Sequence, residues 1–322
     1  MINPIYPAGV LLYLIMVIGL IGNSIVLFVL ICLTKSWCTS TIYIVNLAVA
    51  DTLFLLSTPF IAQTILNDYE WSFGSSMCSF TYYWATFTMY AGVYFVTGMG
   101  IERWMAVVHP FSLAKYRTCR KTVIVCASIW CSAALLALPD HFYIQILPES
   151  YHNRTSNDTV YIMSCDFYVP ESNPNELQIL GAINFVKFVM GFLLPLTTLC
   201  ILYREIVKAV RKNLISGKVS KSKVTYMASC IVISFFVLWL PEKACCFVFA
   251  ILFWSGNTSI LFGDEIKIIY SYAFCLAWIH SCFNPMAYGF LTTRFREKAT
   301  VAFARRSSNA ASLHISSKYP TN

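Results

Sequence analysis

Charge is what this 322-residue chain has least of: Asp, Glu, Lys and Arg make up 12% of it, while 58% of its residues are hydrophobic. Ordinary soluble domains carry about 25% charged residues, so composition argues against a soluble enzyme. The little charge present is unevenly spread. Residues 1–34 carry none, and neither do 36–50, 52–67, 71–101, 122–139, 188–203, 224–241, 244–263 or 268–293. The chain also lacks a Gly-rich phosphate loop, a His/Cys set at metal-ligand spacing and a nucleophile elbow, and its five histidines are scattered. The common enzyme chemistries are therefore without their residues. No internal repeat divides the chain into matching halves, which a transporter built from repeats would show.

A helix needs about 20 apolar residues to cross roughly 30 Å of hydrocarbon. The charge-free runs supply about seven such segments, with 36–67 interrupted only by Asp51. The spacing predicts spans over 8–33, 40–66, 75–107, 120–140, 178–210, 221–253 and 265–290, then an amphipathic segment at 291–304, basic on one face and apolar on another. The first run lacks a positive n-region and carries Asn23 at its centre, so it is read as a retained span and not as a signal peptide. Most of the 13 cysteines lie inside apolar runs, where they act as small buried hydrophobes.

With the N-terminus outside, 19 of the 23 basic residues fall on the cytoplasmic side. Positive residues stay inside, which fixes the orientation. The net charge of +8 then belongs to a cytoplasmic surface facing anionic lipid and carries no indication of nucleic acid. Three loop sequons, at Asn153, Asn157 and Asn257, all fall on the outer side, as glycosylation acceptors should.

Ionisable groups at bilayer depth are expensive, and each needs a reason. Asp51 lies midway along the second span in Asn46-Leu-Ala-Val-Ala-Asp51, and Asn23 follows Gly22 in the first. Glu102-Arg103-Trp104 closes the third span, with Arg103 placed 25 residues after Cys78. Trp130 stands in the fourth, Pro195 and Tyr203 in the fifth, Phe235 and Trp239-Leu-Pro241 in the sixth, and Asn284-Pro285-Met-Ala-Tyr288 in the last. Trp71-Ser-Phe-Gly74 occupies the first outer loop. Together, in this order, these residues resemble the rhodopsin-like (class A) G protein-coupled receptors over nearly the whole chain.

The resemblance implies an all-α membrane protein: a seven-transmembrane helix bundle with a short amphipathic eighth helix. A receptor domain would span 1–304 and a disordered cytoplasmic tail 305–322. It also implies a multi-pass protein of the plasma membrane and a disulfide between Cys78 and Cys165. Asn23, Asp51, His280, Ser281 and Asn284 would surround a polar pocket that in the family often holds a sodium ion. Here Gly92 replaces a serine that usually supplies an oxygen, and His280 is bulky, so sodium is not an expected cofactor and a water network is the competing occupant. Glu102 would restrain Arg103 at rest. The activation switch would consist of Glu102, Arg103, Tyr203, Phe235, Trp239, Pro241, Asn284, Pro285 and Tyr288, with the prolines bending their helices. Twenty residues before Pro241, where some relatives carry an acid that clamps Arg103, stands Lys221, which would repel it.

The last helix has no lysine between Lys267 and Arg294, and Trp278 stands where opsins of this family carry their Schiff-base lysine. Seven residues after Cys78, where amine receptors carry an aspartate, stands Ala85. A retinal or amine ligand is thus excluded. The candidate ligand contacts are Gln63, Tyr82, Ala85, Thr86, Met89, Asn184, Lys187, Trp239, Glu242, Lys243, Phe247, Tyr270 and Phe274, with Tyr83 nearby. Glu242 could instead be spent in a salt bridge with one of the lysines. Acids outnumber bases outside, Asp68, Glu70, Asp140, Glu149, Asp166 and Glu176 among them, and such a vestibule would steer a basic ligand. Pro59, the Trp71–Gly74 loop and the stretch from Met105 to Pro110 look most like neuropeptide receptors of the somatostatin, galanin and allatostatin type. A peptide ligand is the preferred expectation, with a small carboxylate or lipid acid anchored by Lys187 or Lys243 as the alternative. The family's partners would be a heterotrimeric G protein, arrestin and a receptor kinase acting on Ser307, Ser308, Ser312, Ser316 and Ser317.

Overall fold

A computed structural model describes residues 5–33, 39–152, 159–170, 173–215 and 222–291. The first crossing is α1 (Tyr6–Cys32), which Pro7 opens at a position where its missing N–H has no role. The second is α2 (Thr39–Leu55) followed by α3 (Thr58–Leu66), split at Leu56 and Ser57. Pro59 explains the split, because its ring would collide with the carbonyl of Leu55. Ser57 caps the break by donating its hydroxyl to the Phe54 carbonyl at 2.6 Å. The third crossing is α4 (Ser75–Val107) and the fourth α5 (Cys119–Tyr143), which continues through Pro139 and places Asp140 on the helix.

The fifth crossing runs from α6 (Glu176–Phe188) through a π turn (Val189–Leu193) into α7 (Leu194–Ile215). Pro195 cannot donate to Gly191, and the wider turn just before it absorbs the mismatch. The last two crossings are α8 (Ser222–Ser255) and α9 (Asp264–Leu291), with Pro241 and Pro285 in their interiors. These bounds match the spacing-based spans to within a few residues. The split of the second span and the π turn of the fifth are interruptions that the charge pattern did not indicate.

Six of these stretches are long and apolar enough to cross a membrane on length and composition; Ser75–Val107 is not among them. Its polarity has a structural reason. This helix packs against α2, α5, α7 and α8, so it meets other helices more than lipid, and small or polar residues suit that position. The outer helices show the inverse pattern. Val10, Leu14, Ile18 and Ile21 of α1 and Val123, Ile124 and Leu135 of α5 are exposed, as side chains facing hydrocarbon would be.

The outer mouth is roofed by a hairpin absent from the sequence-based expectation. Strand β1 (Ile144–His152) pairs antiparallel with β2 (Thr159–Phe167), placing Ile146 opposite Cys165. Cys165 is joined to Cys78 at the start of α4, with the two Cα atoms 5.8 Å apart. The hairpin is further tied down where the Trp71 amide donates to the Met163 carbonyl at 2.7 Å and Ser79 Oγ to that of Ile144 at 2.8 Å. Trp71 itself is buried, and its indole closes a tight turn by donating to the carbonyl of Gly74, whose φ of 81° calls for glycine.

Candidate functional site

Beneath the hairpin, two buried ion pairs face the bundle interior. Lys187 Nζ of α6 lies 2.9 Å from Asp140 Oδ1 of α5, and Thr86 of α4 donates to the other carboxylate oxygen. Lys243 Nζ lies 3.0 Å from Glu242 Oε2 on α8, and the Cys246 thiol donates to Oε1 at 3.3 Å. Lys243 is 2% exposed, with its ammonium 5.1 Å from the centre of the Trp239 ring and its stem beside Met89, Tyr90 and Gly191. The alternative open to Glu242, a salt bridge with a lysine, is therefore present, and a second pair accompanies it. Asp140 needs a correction: it is 1% exposed and belongs to the interior, not to the acidic vestibule. Its place at the end of the 120–140 span put it among the outer acids, and the ion pair with Lys187 turns it inward.

Tyr90 Oη and Trp239 Nε1 are buried without a hydrogen-bond partner in the protein, and both border this pair of ion pairs. Buried polar groups are normally satisfied, so such atoms mark where water or a ligand completes the bonding. Thr86, Met89 and Trp239 come together with the two ion pairs around this region, and Ala85 is buried one helical position before Thr86. Gln63 lies apart, bonded to Tyr13 and Asn67, and Asn184 turns its amide onto its own helix at Leu180. Tyr82 packs near Trp71 under the hairpin, and Tyr270 and Phe274 stack along α9 towards Trp278. Phe247 is 39% exposed and packs on Phe188 of α6, away from the ion pairs.

Midway through the bundle, Asp51 Oδ2 accepts from Asn284 Nδ2 at 2.8 Å and Oδ1 from Ser281 Oγ at 3.2 Å. His280 Nδ1 stands 3.9 Å from the same carboxylate, and its Nε2 lies 3.3 Å from Asn284 Nδ2. Asn23 joins from α1 by donating to the Ser281 carbonyl at 2.9 Å, so it braces the cluster without touching Asp51. The five expected pocket residues thus converge. Asn23 Oδ1 and Asn284 Oδ1 are buried and unpartnered, which suits ordered water. A cation fits the donor set poorly: a Cβ at Gly92 would meet only Leu47, at 4.0 Å, and no oxygen replaces the missing hydroxyl. An aromatic chain links this cluster to the outer pairs. The His280 ring is edge-on to Phe235 at 4.7 Å, and Phe235 lies 5.9 Å from Trp239.

At the inner end Glu102 is 2% exposed and four groups converge on it. Arg117 Nη2 reaches Oε1 at 2.8 Å, Thr39 donates to Oε1 at 2.9 Å and Ser40 to Oε2 at 3.0 Å. Arg103, the expected partner, is the most distant at 3.7 Å. Arg117, Thr39 and Ser40 were not singled out from the sequence. Arg117 is one basic residue among many on a side where basic residues are the rule, so nothing in the pattern distinguishes it. Tyr203 packs against the core below, and the Tyr288 side chain lies outside the described residues. So do Lys221, Asn153, Asn157, the segment from 292 to 304 and the tail with its serines. Asn257 is exposed beside the turn that follows α8.

Residues 22–288 match the 7 transmembrane receptor (rhodopsin family). The mouse (Mus musculus) somatostatin receptor type 2 is 30% identical over 290 residues, covering 88% of this chain and 73% of that receptor. The type-2 angiotensin II receptor of Meriones unguiculatus is 31% identical over 296 residues, 91% of this chain and 78% of its own length. The type-1 angiotensin II receptor of the same species is 28% identical over 286 residues, 88% and 77% respectively. The chain belongs to the rhodopsin family of seven-transmembrane receptors. It is a multi-pass membrane protein and a G protein-coupled receptor, and its relatives are receptors, not enzymes.

Proposed function

We propose that this receptor binds an extracellular peptide and, on doing so, activates a heterotrimeric G protein by moving the inner half of α8 outward. The observation that carries the ligand class is the pairing of both lysines: Lys187 with Asp140 and Lys243 with Glu242. A small carboxylate or lipid acid would need a lysine to leave its acid, and a freed buried carboxylate is strongly unfavourable. A peptide gains from many contacts at once and needs no single free cation. The exposed Asp68, Glu70 and Asp166 around the mouth attract a basic one. The relatives named for somatostatin and angiotensin II favour the same class.

Signal passage follows from the geometry already described. Trp239 touches the ligand region and Phe235, and Phe235 touches His280 beside Asn284 and Asp51. A push on Trp239 is thereby felt in the polar cluster, where small rearrangements of packed groups switch between discrete states. Below it, Arg103 would leave Glu102 and turn towards Tyr203 and Tyr288, opening a seat for the transducer. The N-terminus faces outward and the basic loops face the cytosol, the plasma membrane being the site of action, with Asn153, Asn157 and Asn257 as glycan acceptors. Arrestin and a receptor kinase are further partners through the tail serines.

The test is ligand-stimulated nucleotide exchange on a G protein, screened with a peptide library and with a panel of small carboxylates and lipid acids. Responses to peptides that survive the Asp140→Asn/Lys187→Met double change are expected. Responses confined to acids and abolished by that change would replace the peptide with an acid. Tracer uptake without nucleotide exchange would indicate a transporter instead.

A further inference from the structure

On the outer wall of the bundle, a groove of about 850 Å³ runs between α4 and α5 and ends against Met190 and Leu194. Ile101, Ile124, Val125 and Leu194 along it are exposed apolar side chains, so it opens sideways to the hydrocarbon. Its polar lining is largely silenced: Thr97 and Ser128 return their hydroxyls to carbonyls of their own helices, and Tyr94 donates to the Met190 carbonyl. From Glu102 up to Tyr94 the α4 wall rises by about 12 Å, and from Lys121 to Leu136 the α5 wall by about 22 Å, at 1.5 Å per residue. One leaflet of hydrocarbon is about 15 Å deep, so the groove accommodates a lipid chain from the inner surface to the bilayer midplane.

The inner rim is what makes the groove selective. Tyr116 lines it, and two ammonium groups sit against that one ring, Lys121 Nζ at 4.8 Å and Lys115 Nζ at 5.1 Å from its centre. No acidic side chain among the described residues pairs with either lysine. Glu102, an acid in the lining, is already held by Arg117, Thr39 and Ser40. Some lipid chain will always fill a groove that opens to the bilayer. The uncompensated cations choose the headgroup.

We propose that this groove is a binding site for a single anionic phospholipid of the cytoplasmic leaflet, its chain between α4 and α5 and its headgroup phosphate and carboxylate on Lys115 and Lys121. Two like charges held close together gain most when a headgroup with two anionic groups, such as a phosphate and a carboxylate, lies between them. The site is independent of the ligand assignment and rests on the chain crossing the membrane with its basic loops facing the cytosol, as proposed above.

The full-length receptor, purified in detergent and incubated with phosphatidylserine, phosphatidylcholine or oleate, is analysed by native mass spectrometry for retained lipid. One phosphatidylserine is expected to be retained in preference to phosphatidylcholine. Retention should fall roughly tenfold in the Lys115→Gln/Lys121→Gln double variant and equally in Ser128→Trp, which fills the groove, while Leu135→Trp on a lipid face outside it has no effect. Equal retention of the two phospholipids overturns the proposal. So does full retention in Ser128→Trp, which would reduce the effect to surface attraction, or oleate binding without phosphatidylserine binding. The double variant alters exposed side chains only, so it keeps the test decisive should Ser128→Trp fold poorly.

Discussion

Lys187 on α6 and Asp140 on α5 form an ion pair of 2.9 Å whose carboxylate is 1% exposed, and this bond ties the fourth crossing to the fifth beside the ligand region. Removing one partner of such a pair leaves an uncompensated buried charge, at about 3–5 kcal/mol, whereas removing both is nearly neutral. Asp140→Asn is therefore expected to lower the thermal unfolding midpoint of the purified receptor more than the Asp140→Asn/Lys187→Met double variant does. Equal losses would mean that the pair does not act as a unit.

The shared carboxylate at the inner end gives a prediction with a definite sign. Arg117 competes with Arg103 for Glu102 and stands closer. In Arg117→Ala the carboxylate is released to Arg103, so ligand-free nucleotide exchange should drop by roughly three- to tenfold, the range of one charge-assisted hydrogen bond. Glu102→Gln should raise it. An increase in Arg117→Ala would show that the loop arginine, and not Arg103, provides the resting restraint.

The family resemblance sets Lys221, twenty residues before Pro241, at the position of an acid that in some relatives clamps Arg103. Installing that acid through Lys221→Glu should reduce ligand-free exchange below the parent level while leaving maximal stimulated exchange within about twofold. Unchanged basal exchange counts against the missing-clamp account.

The polar cluster predicts both a loss and an indifference. Asp51→Asn keeps the shape but removes the charge that Asn284 and Ser281 bond, and it should weaken stimulated exchange by roughly tenfold at unchanged surface expression. Because Gly92 offers no oxygen, replacing choline by sodium at about 0.15 M ionic strength should move agonist affinity less than twofold. A larger shift that disappears in Asp51→Asn would establish a cation in the cluster.

The Cys78–Cys165 bond spans 87 residues of chain and pins the hairpin to the start of α4. Cys165→Ser should abolish ligand binding at the cell surface, since loss of a native disulfide typically costs about 2–5 kcal/mol and here releases the roof of the cavity. Surface-detected receptor that binds normally would show that Trp71 and Ser79 hold the hairpin alone.

Sequence by itself determined the crossings and singled out the polar residues inside them. The bilayer imposes a length and an apolarity on each span, and Asp51, Arg103, Pro241 and Asn284 stand out because a membrane tolerates few such residues. Those signals are local along the chain. Tertiary structure alone decided which charges meet. Asp140 left the vestibule for the interior because Lys187 of α6 and Thr86 of α4 meet it there, and Arg117 took Glu102 because the inner loop brings it within 2.8 Å. The hairpin was hidden in what read as loop, since its order comes from pairing with its own second strand and from Trp71 and Cys78 below. An ion pair depends on distances across the bundle, and a pattern that repeats every helical turn carries no record of those.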